Sequence, residues 1–379
     1  MSNDVGAARH SENRFEWVDR SLASLIIASV AVVAVAGLIQ VRFGDFPMTA
    51  RDVVNAVFDP AVLFDPRWLL TFLLGEGGMR AVTGYTGALP DLSKETLIVW
   101  NLRVPRVLVA ILAGLNLSVS GAIFQAITRN ELASPFILGV SSGAGLAILL
   151  TLVVFGSLAA FLPLIAAFGG SAAFLLVYAI AWKNGTSPVR LVLAGVIVGT
   201  VFGSLQTALF FFADDVAIVQ SAIAWTTGSL TGSDWEQVRM ALPWTVLVVV
   251  PGTLVAARQL DVLVLGESTA ASLGMNVERI RFALAGLAVL AAAISIAVAG
   301  IVGFVGLIVP HVVRTVVGSD HRRLLVGCLF AGPALVVAAD VGARLALSPT
   351  QIPVGIVTGL IGGPYFLYLM RRQDTLGEL

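Results

Sequence analysis

The side chains able to do chemistry in this 379-residue chain are few and scattered. Its three histidines, His10, His311 and His321, are too far apart in sequence to suggest a metal-ligand cluster, so no metal site is expected. There are only two lysines, Lys94 and Lys183, and neither follows a glycine. A G-x-x-x-x-G-K-[ST] loop is therefore missing, and the chain is not itself a P-loop ATPase. No Ser/His/Asp set and no pair of carboxylates stands in an apolar run. The single cysteine, Cys328, lies among apolar residues and reads as a buried thiol. One carboxylate remains conspicuous. Asp340 sits well inside an apolar stretch, where a charge costs about 2.5–3.5 kcal/mol on insertion scales. It needs a partner or a task. Arg344 follows four residues later, on the same face of a helix, so an intramembrane Asp340–Arg344 ion pair is expected. A proton-relay carboxylate is the alternative, but a relay normally needs a chain of such groups. No enzyme site and no cofactor of the chain's own is expected.

These residues are carried on elements dictated by composition. Hydrophobic residues make up 58% of the chain and charged ones 12%, against about 25% charged in soluble domains. Mean hydropathy is +0.94. The reading is an all-α polytopic membrane protein. The formal net charge is zero, which suggests no nucleic-acid partner. Leu22–Val41 is too long for a signal-peptide core, so no cleaved leader is expected. Ten spans are read, at roughly 22–41, 104–128, 137–156, 159–182, 189–213, 239–257, 282–299, 305–317, 324–345 and 353–370. The eighth is short, carries Pro310, His311 and Arg314, and reads as a half-helix sheltered by protein. The ten-span domain occupies 22–370, between an N-terminal segment 1–21 and a tail 371–379. Placing the N-terminus in the cytoplasm puts fourteen Lys and Arg residues on inner segments and nine on outer ones. Both termini are then cytoplasmic. The long outer loop 42–103 is punctuated by Asp59-Pro60, Asp65-Pro66 and Gly75, Gly77 and Gly78. Its apolar stretches, such as Trp68 to Leu74, suggest short helices on the membrane face.

Three further patterns stand out. Gly195, Gly199 and Gly203 in the fifth span, and Gly355, Gly359 and Gly363 in the tenth, each line one helix face and let another backbone approach. Packing within the chain and a seam between subunits both fit. Between the sixth and seventh spans, Glu267 precedes the run Ser268, Thr269, Ala270, Ala271, Ser272, Leu273 and Gly274. It reads as a short helix with an acidic start and a glycine stop. At the outer ends of spans, Arg103 and Arg106 flank Val104-Pro105, which holds the backbone extended and fixes their spacing. With Arg344 they suit docking of an acidic partner surface, since guanidinium stays charged and pairs bidentately with carboxylates. Snorkelling to lipid phosphates, or consumption of Arg344 by Asp340, fits as well.

The motifs taken together resemble the FecCD family of ABC-importer permeases over roughly residues 100–370. They run in order: Arg103-Val104-Pro105-Arg106 with Ala113-Gly114 and Ser120-Gly121-Ala122-Ile123-Phe124-Gln125; Arg129-Asn130-Glu131-Leu132-Ala133-Ser134-Pro135 with Leu138-Gly139-Val140-Ser141-Ser142-Gly143-Ala144; Gly266-Glu267 with Ala270 and Leu273-Gly274; Gly303-Phe304-Val305-Gly306-Leu307-Ile308-Val309-Pro310-His311 with Arg314 and Asp320-His321-Arg322; and Ala339-Asp340, Arg344 and Pro353-Val354-Gly355-Ile356. Glu131 departs from the proline usual there, and the loop 42–103 exceeds the family's usual length. The resemblance implies a type II ABC importer permease of about ten spans in the cell membrane. It also implies a second permease subunit, most simply an identical copy, and two cytoplasmic ATPase subunits that bind ATP and Mg. An extracytoplasmic binding protein would deliver a metal chelate. Iron(III)–siderophore is the expected cargo, with haem and cobalamin open. By the same resemblance, Glu267 to Gly274 is the helix that couples to the ATPase. Asn130, Leu132, Thr186 and Ser187 stand near cytoplasmic gates, the fifth and tenth spans line the passage and dimer seam, and Arg103, Arg106 and Arg344 meet the binding protein. An ion-coupled secondary transporter is the competing class, and the near absence of intramembrane carboxylates argues against it. A membrane enzyme or scaffold is a third, and it lacks a catalytic constellation.

Overall fold

A computed structural model describes residues 17–42, 46, 48–183, 185–213, 215–347 and 350–377. The first sixteen residues, which include His10, lie outside the described residues. Among the described residues all regular structure is helical. The order is α1 (Arg20–Arg42), α2 (Ala50–Val57), α3 (Pro60–Leu63), α4 (Pro66–Thr83), α5 (Lys94–Ile98) and α6 (Val104–Thr128). Then come α7 (Val140–Val153), α8 (Leu162–Ala181), α9 (Pro188–Phe210), α10 (Val216–Thr227), α11 (Trp235–Trp244) and α12 (Val250–Val264). The chain ends with α13 (Glu267–Ser272), α14 (Val277–Ala299), α15 (Val305–Val317), α16 (His321–Leu345) and α17 (Val354–Gly377). Seven described helical stretches are long and apolar enough to cross a membrane, and α7, α10, α15 and α17 add shorter apolar segments. Each of the ten expected spans falls on a helix. Helix α10 lies between the fifth and sixth expected spans, and its twelve residues are fewer than a membrane crossing needs.

Two of the long helices are continued through π-helical turns, Val99–Arg103 before α6 and Thr245–Val249 before α12. Each turn precedes a proline, Pro105 or Pro251. Proline has no N–H to donate and its ring clashes with the carbonyl four residues back; widening the turn absorbs both defects without breaking the helix.

Helix α6 is the pillar of the bundle, packed on α16, α14, α15 and α11. Close approach depends on glycine. A Cβ at Gly121 would overlap the backbone of Gly306 in α15. Polar side chains tie the pillar to its neighbours: Asn116 Nδ2 donates to Thr245 Oγ1 at 2.8 Å, Ser118 to the Cys328 carbonyl at 2.8 Å, and Ser120 to the Ala288 carbonyl at 2.6 Å. With no water in the bilayer core, such pairs satisfy groups that would otherwise stay bare. Helix α15 is the expected half-helix. Its start is reached through a break with Gly300 at φ 70° and Phe304 at φ 65°, a left-handed conformation uncommon outside glycine. Ile301 and Val302 in that break are buried in protein.

The contacts sort the connections into two ends. At one end, Arg103 reaches the carbonyl of Phe46 at 2.6 Å, and Trp235 donates to the Trp100 carbonyl at 2.5 Å. Helices α2 to α5 form a lobe at this end. Asp59 and Asp65 cap α3 and α4, each followed by proline at the first helical position. Phe72 stacks on Trp68, Trp100 and Trp235 with ring centroids 5.1–5.6 Å apart, anchoring the lobe to α11. Arg67 holds the exposed-side Asp65 carboxyl below its ordinary range through a 2.6 Å ion pair. At the opposite end lie α13, the α6–α7 and α8–α9 turns, and the pairs Arg323–Asp19 at 2.8 Å and His321–Asp261 at 2.7 Å.

Candidate functional site

At the α13 end a short helix is set apart by its glycines. Gly266 at φ 110° and Gly274 at φ 83° bracket α13. The helix begins at Glu267 and ends at Ser272, one residue earlier at its start and two at its stop than the run Ser268–Gly274 suggests. Ala270 is fully buried, whereas Ser268, Thr269, Ala271, Ser272 and Gly274 are exposed and Leu273 is 65% exposed. The result is a small peg with one apolar tip, presented outward from the bundle.

Behind the peg lies a polar knot that sequence reasoning missed. Arg281, in the first turns of α14, is only 4% exposed. Its Nη2 pairs with Glu267 Oε1 at 2.5 Å, and its Nη1 donates to the Thr186 carbonyl at 2.7 Å and lies 3.6 Å from Glu278 Oε2. Glu278 in turn accepts from the Tyr178 hydroxyl at 2.5 Å and from Thr186 Oγ1 at 2.9 Å and N at 3.2 Å. One knot thus joins α8, the α8–α9 turn, α13 and α14, beside a cleft of about 570 Å³ lined also by Trp182 and Arg190. The available signal was the pair Glu278 and Arg281, spaced three apart at a helix start where apolar residues would otherwise suffice.

The two turns expected near a gate are built by local hydrogen bonds. Asn130 Oδ1 accepts from Leu132 N at 2.9 Å, and Leu132 is about half exposed. Ser187 Oγ caps α9 by accepting from Arg190 N at 3.2 Å. Glu131, at the position where proline is usual, pairs with Arg314 at 3.2 Å and approaches His311 Nδ1 at 3.6 Å, fastening the α6–α7 turn to α15.

At the lobe end the expected ion pair is replaced by another. Asp340 is 1% exposed, and its partner is Arg106 of α6, not Arg344. Arg106 Nε and Nη2 grip the two carboxylate oxygens at 2.9 and 2.8 Å, and Nη1 donates to Gln351 Oε1 at 2.7 Å. Gln40 Nε2 also donates to Asp340. Arg344 donates to the Gln40 carbonyl at 2.8 Å and is half-buried. A four-residue spacing brings Asp340 and Arg344 to the same face, but the fork of Arg106 reaches both oxygens from the neighbouring helix. This also corrects the docking expectation. Arg106 is 5% exposed and Arg103 is 5% exposed, the latter with its guanidinium on the carbonyls of Val41 and Phe46. Both cations are engaged inside the protein and neither presents a charge to a partner.

The glycine stripes divide. A Cβ at Gly195 would overlap the Ile137 carbonyl and one at Gly355 the Thr227 carbonyl, so the first glycine of each stripe serves packing within the chain. A Cβ at Gly199 would stand 3.7 Å from Ser142 Oγ, an ordinary contact, and nothing lies within 4 Å of a Cβ at Gly203, Gly359 or Gly363. Around these open positions α9 exposes Val196, Ile197, Val201 and Leu205, and α17 exposes Leu360 and Ile361. Helix α10 meets the same region. Ile301 N donates to the Trp225 carbonyl and Gly355 N to the Gly228 carbonyl, beside a cavity of about 260 Å³ with Ser229, Thr231, Ser233 and Gln237 on its wall. Among the described residues no group of three or more His, Cys, Asp or Glu is placed to hold a metal ion.

Comparison with known proteins fits this geometry. The model of the FecCD transport family matches residues 31–372. The iron(3+)-hydroxamate import system permease protein FhuG of Bacillus subtilis (strain 168) is 38% identical over 290 residues, covering 74% of this chain and 86% of that protein. The cobalamin import system permease protein BtuC of Halobacterium salinarum (strain ATCC 700922 / JCM 11081 / NRC-1) is 39% identical over 386 residues, covering 94% of this chain and 97% of that protein. A solved structure described as an inward-facing metal-chelate type ABC transporter superposes with a TM-score of 0.74 at 26% identity, over 92% of this chain and 99% of that one.

Proposed function

Since the chain belongs to the FecCD transport family, whose members are permeases of metal-chelate and vitamin ABC importers, we propose that it is the membrane-spanning subunit of an ATP-driven importer for iron(III)–siderophores. The observation that carries this reading is the family match across nearly the whole helical bundle. The bundle's geometry supports it. The peg α13 is positioned to seat in a groove of a separate ATPase subunit, which binds ATP and Mg and does the hydrolysis. That assignment puts the α13 end and both termini in the cytoplasm and the lobe α2–α5 outside. The exposed glycines of α9 and α17 form the seam with a second copy, and the passage runs along it. The turns at Asn130–Leu132 and Thr186–Ser187 close the passage from the cytoplasmic side. An extracytoplasmic binding protein delivers the cargo to the lobe end. Of the three arginines at that end, only Arg344 retains exposure for contact with it. Asp340, clamped by Arg106, offers no free carboxylate for ion coupling, which weighs against a secondary transporter.

A second cargo is favoured by one observation. The match to the cobalamin permease leaves too few residues outside it to omit segment 42–103, whereas the match to the hydroxamate permease leaves about a quarter of the chain uncovered. Uptake by proteoliposomes holding this chain, its ATPase subunits and its binding protein separates the two. Iron-hydroxamate accumulation that cobalamin does not compete away supports the first cargo, and the converse supports the second. Accumulation of neither in the presence of ATP overturns both.

A further inference from the structure

Helix α13 is mechanically separate from the helices it would have to move. Its packing is on α12 and α14, its immediate neighbours in the chain, and glycines in the left-handed region flank it on both sides. A rigid-body tilt of α13 therefore has little purchase on α9 through packing. Side chains supply the missing connection. Glu267 is the first residue of α13, and its carboxylate is held at 2.5 Å by Arg281. The same guanidinium holds the Thr186 carbonyl at 2.7 Å and the Thr186 hydroxyl at 3.3 Å. Thr186 directly precedes Ser187, whose hydroxyl caps the first turn of α9. Glu278 grips the other side of Thr186 through its amide and hydroxyl.

We propose that Arg281 is a positioning residue that transmits movement of α13 to the foot of α9. The path is Glu267, Arg281, Thr186 and Ser187, and it rests on the reading of α13 as the ATPase-docking helix. Arginine fits this task for a geometric reason. Its two terminal nitrogens are fixed in one plane, so a pull on the carboxylate at Nη2 is felt at the carbonyl on Nη1. A lysine ammonium has no such fork and holds one partner at a time in a fixed direction. Burial keeps the link stiff: Arg281 is 4% exposed, whereas Glu267 is half exposed and free to follow a docked partner. Glu278 shares the guanidinium and balances its charge, so the knot holds its form when Glu267 is removed.

The test uses the full transporter complex in proteoliposomes, measuring cargo moved per ATP hydrolysed and the response of spin labels to nucleotide. One label is placed on α13 at Ser268→Cys and one at the foot of α9 at Val189→Cys, where the side chain is 67% exposed. Glu267→Ala cuts the chain of contacts at its exposed end and leaves the buried knot intact. It is expected to lower cargo per ATP by about tenfold, the scale of one lost charge-assisted hydrogen bond. In that variant the label at 268 still responds to nucleotide and the label at 189 no longer does. Arg281→Lys is expected to give the same dissociation of the two labels, and Glu267→Asp to restore part of the wild-type response. Wild-type cargo per ATP and a wild-type response at 189 in Glu267→Ala overturn the relay. Loss of assembly in Glu267→Ala that Glu267→Asp does not repair assigns the residue a structural role and overturns it too. If the wild-type complex moves no cargo with ATP, the functional reading fails first, and that result is distinguishable from a failure of the relay.

Discussion

Replacing Arg106 with methionine is the sharpest probe of how the lobe end is held together. The substitution keeps much of the side chain's length and apolar stem but removes the fork that grips Asp340 at 2.8 and 2.9 Å. Asp340 is 1% exposed and Arg106 5%, so water does not fill in for the lost partner. Removing one member of a buried pair typically costs about 3–5 kcal/mol, because the other charge stays behind uncompensated. Gln40 still donates to the carboxylate, which favours the lower part of that range. Removing both charges, as Arg106→Met with Asp340→Leu, is expected to recover most of the loss, since well-packed apolar pairs replace buried ion pairs at little cost. Arg344→Met is the control and is expected to show no coupling to Asp340, since Arg344 donates to the Gln40 carbonyl while Asp340 is held by Arg106. The assay is unfolding stability of the purified permease in detergent by steric trapping, arranged as double-mutant cycles. Coupling concentrated in the 106–340 cycle bears out the reasoning. Equal losses for Arg344→Met and Arg106→Met, with no coupling between 106 and 340, would refute it.

The glycine stripes should separate by position. Gly195→Leu and Gly355→Leu are expected to destabilise the single chain by more than the usual overpacking cost of about 1–3 kcal/mol, since backbone stands in the way, whereas Gly199→Leu and Gly359→Leu leave the chain folded and weaken dimers in detergent; Gly286→Leu, on another face, should do neither. Cysteines at 130 or at 187, paired across the two copies, should cross-link in a nucleotide-dependent manner, and cross-linking indifferent to nucleotide counts against gating. Acid should loosen the lobe: Arg67 lowers the Asp65 carboxyl, so the stabilisation is present above the ordinary carboxylate range and is lost as pH falls through the lowered value. Trp68 fluorescence should report that transition in the wild type, and an unchanged acid response in Asp65→Asn would remove Asp65 as its cause.

The bundle was largely legible because bilayer physics leaves little choice: long apolar runs become helices, and seven described stretches are long and apolar enough to cross a membrane, while the other expected spans fall on the shorter apolar helices α7, α15 and α17. Asp59-Pro60 and Asp65-Pro66 likewise announced helix starts inside the long loop, through the N-cap role of aspartate and the tolerance of proline at the first position. Short elements were harder. The twelve residues of α10 do not reach the length of a span, and packing on α7 and α17 together with contacts to residues 299–302 and 355 gives them their place. Pairing across helices was not legible at all. Asp340 offered a partner four residues away, and the true partner stands 234 residues away in sequence. Arg103 and Arg106 looked like rim charges because a span end seen in sequence carries no information about the lobe folded over it. The knot at Arg281 was hidden for the same reason, since its five members, Tyr178, Thr186, Glu267, Glu278 and Arg281, come from three separate stretches of chain.

The central claim is that ATP, through separate subunits docked on α13, drives cargo through this chain. The most direct measurement is cargo accumulation in proteoliposomes of the assembled complex, comparing ATP, a non-hydrolysable analogue, and an imposed proton or sodium gradient without nucleotide. Accumulation is expected with ATP alone, and it should be lost in Ala271→Trp, which enlarges the exposed face of α13 without touching the buried Ala270. Accumulation driven by the ion gradient without ATP would contradict the account.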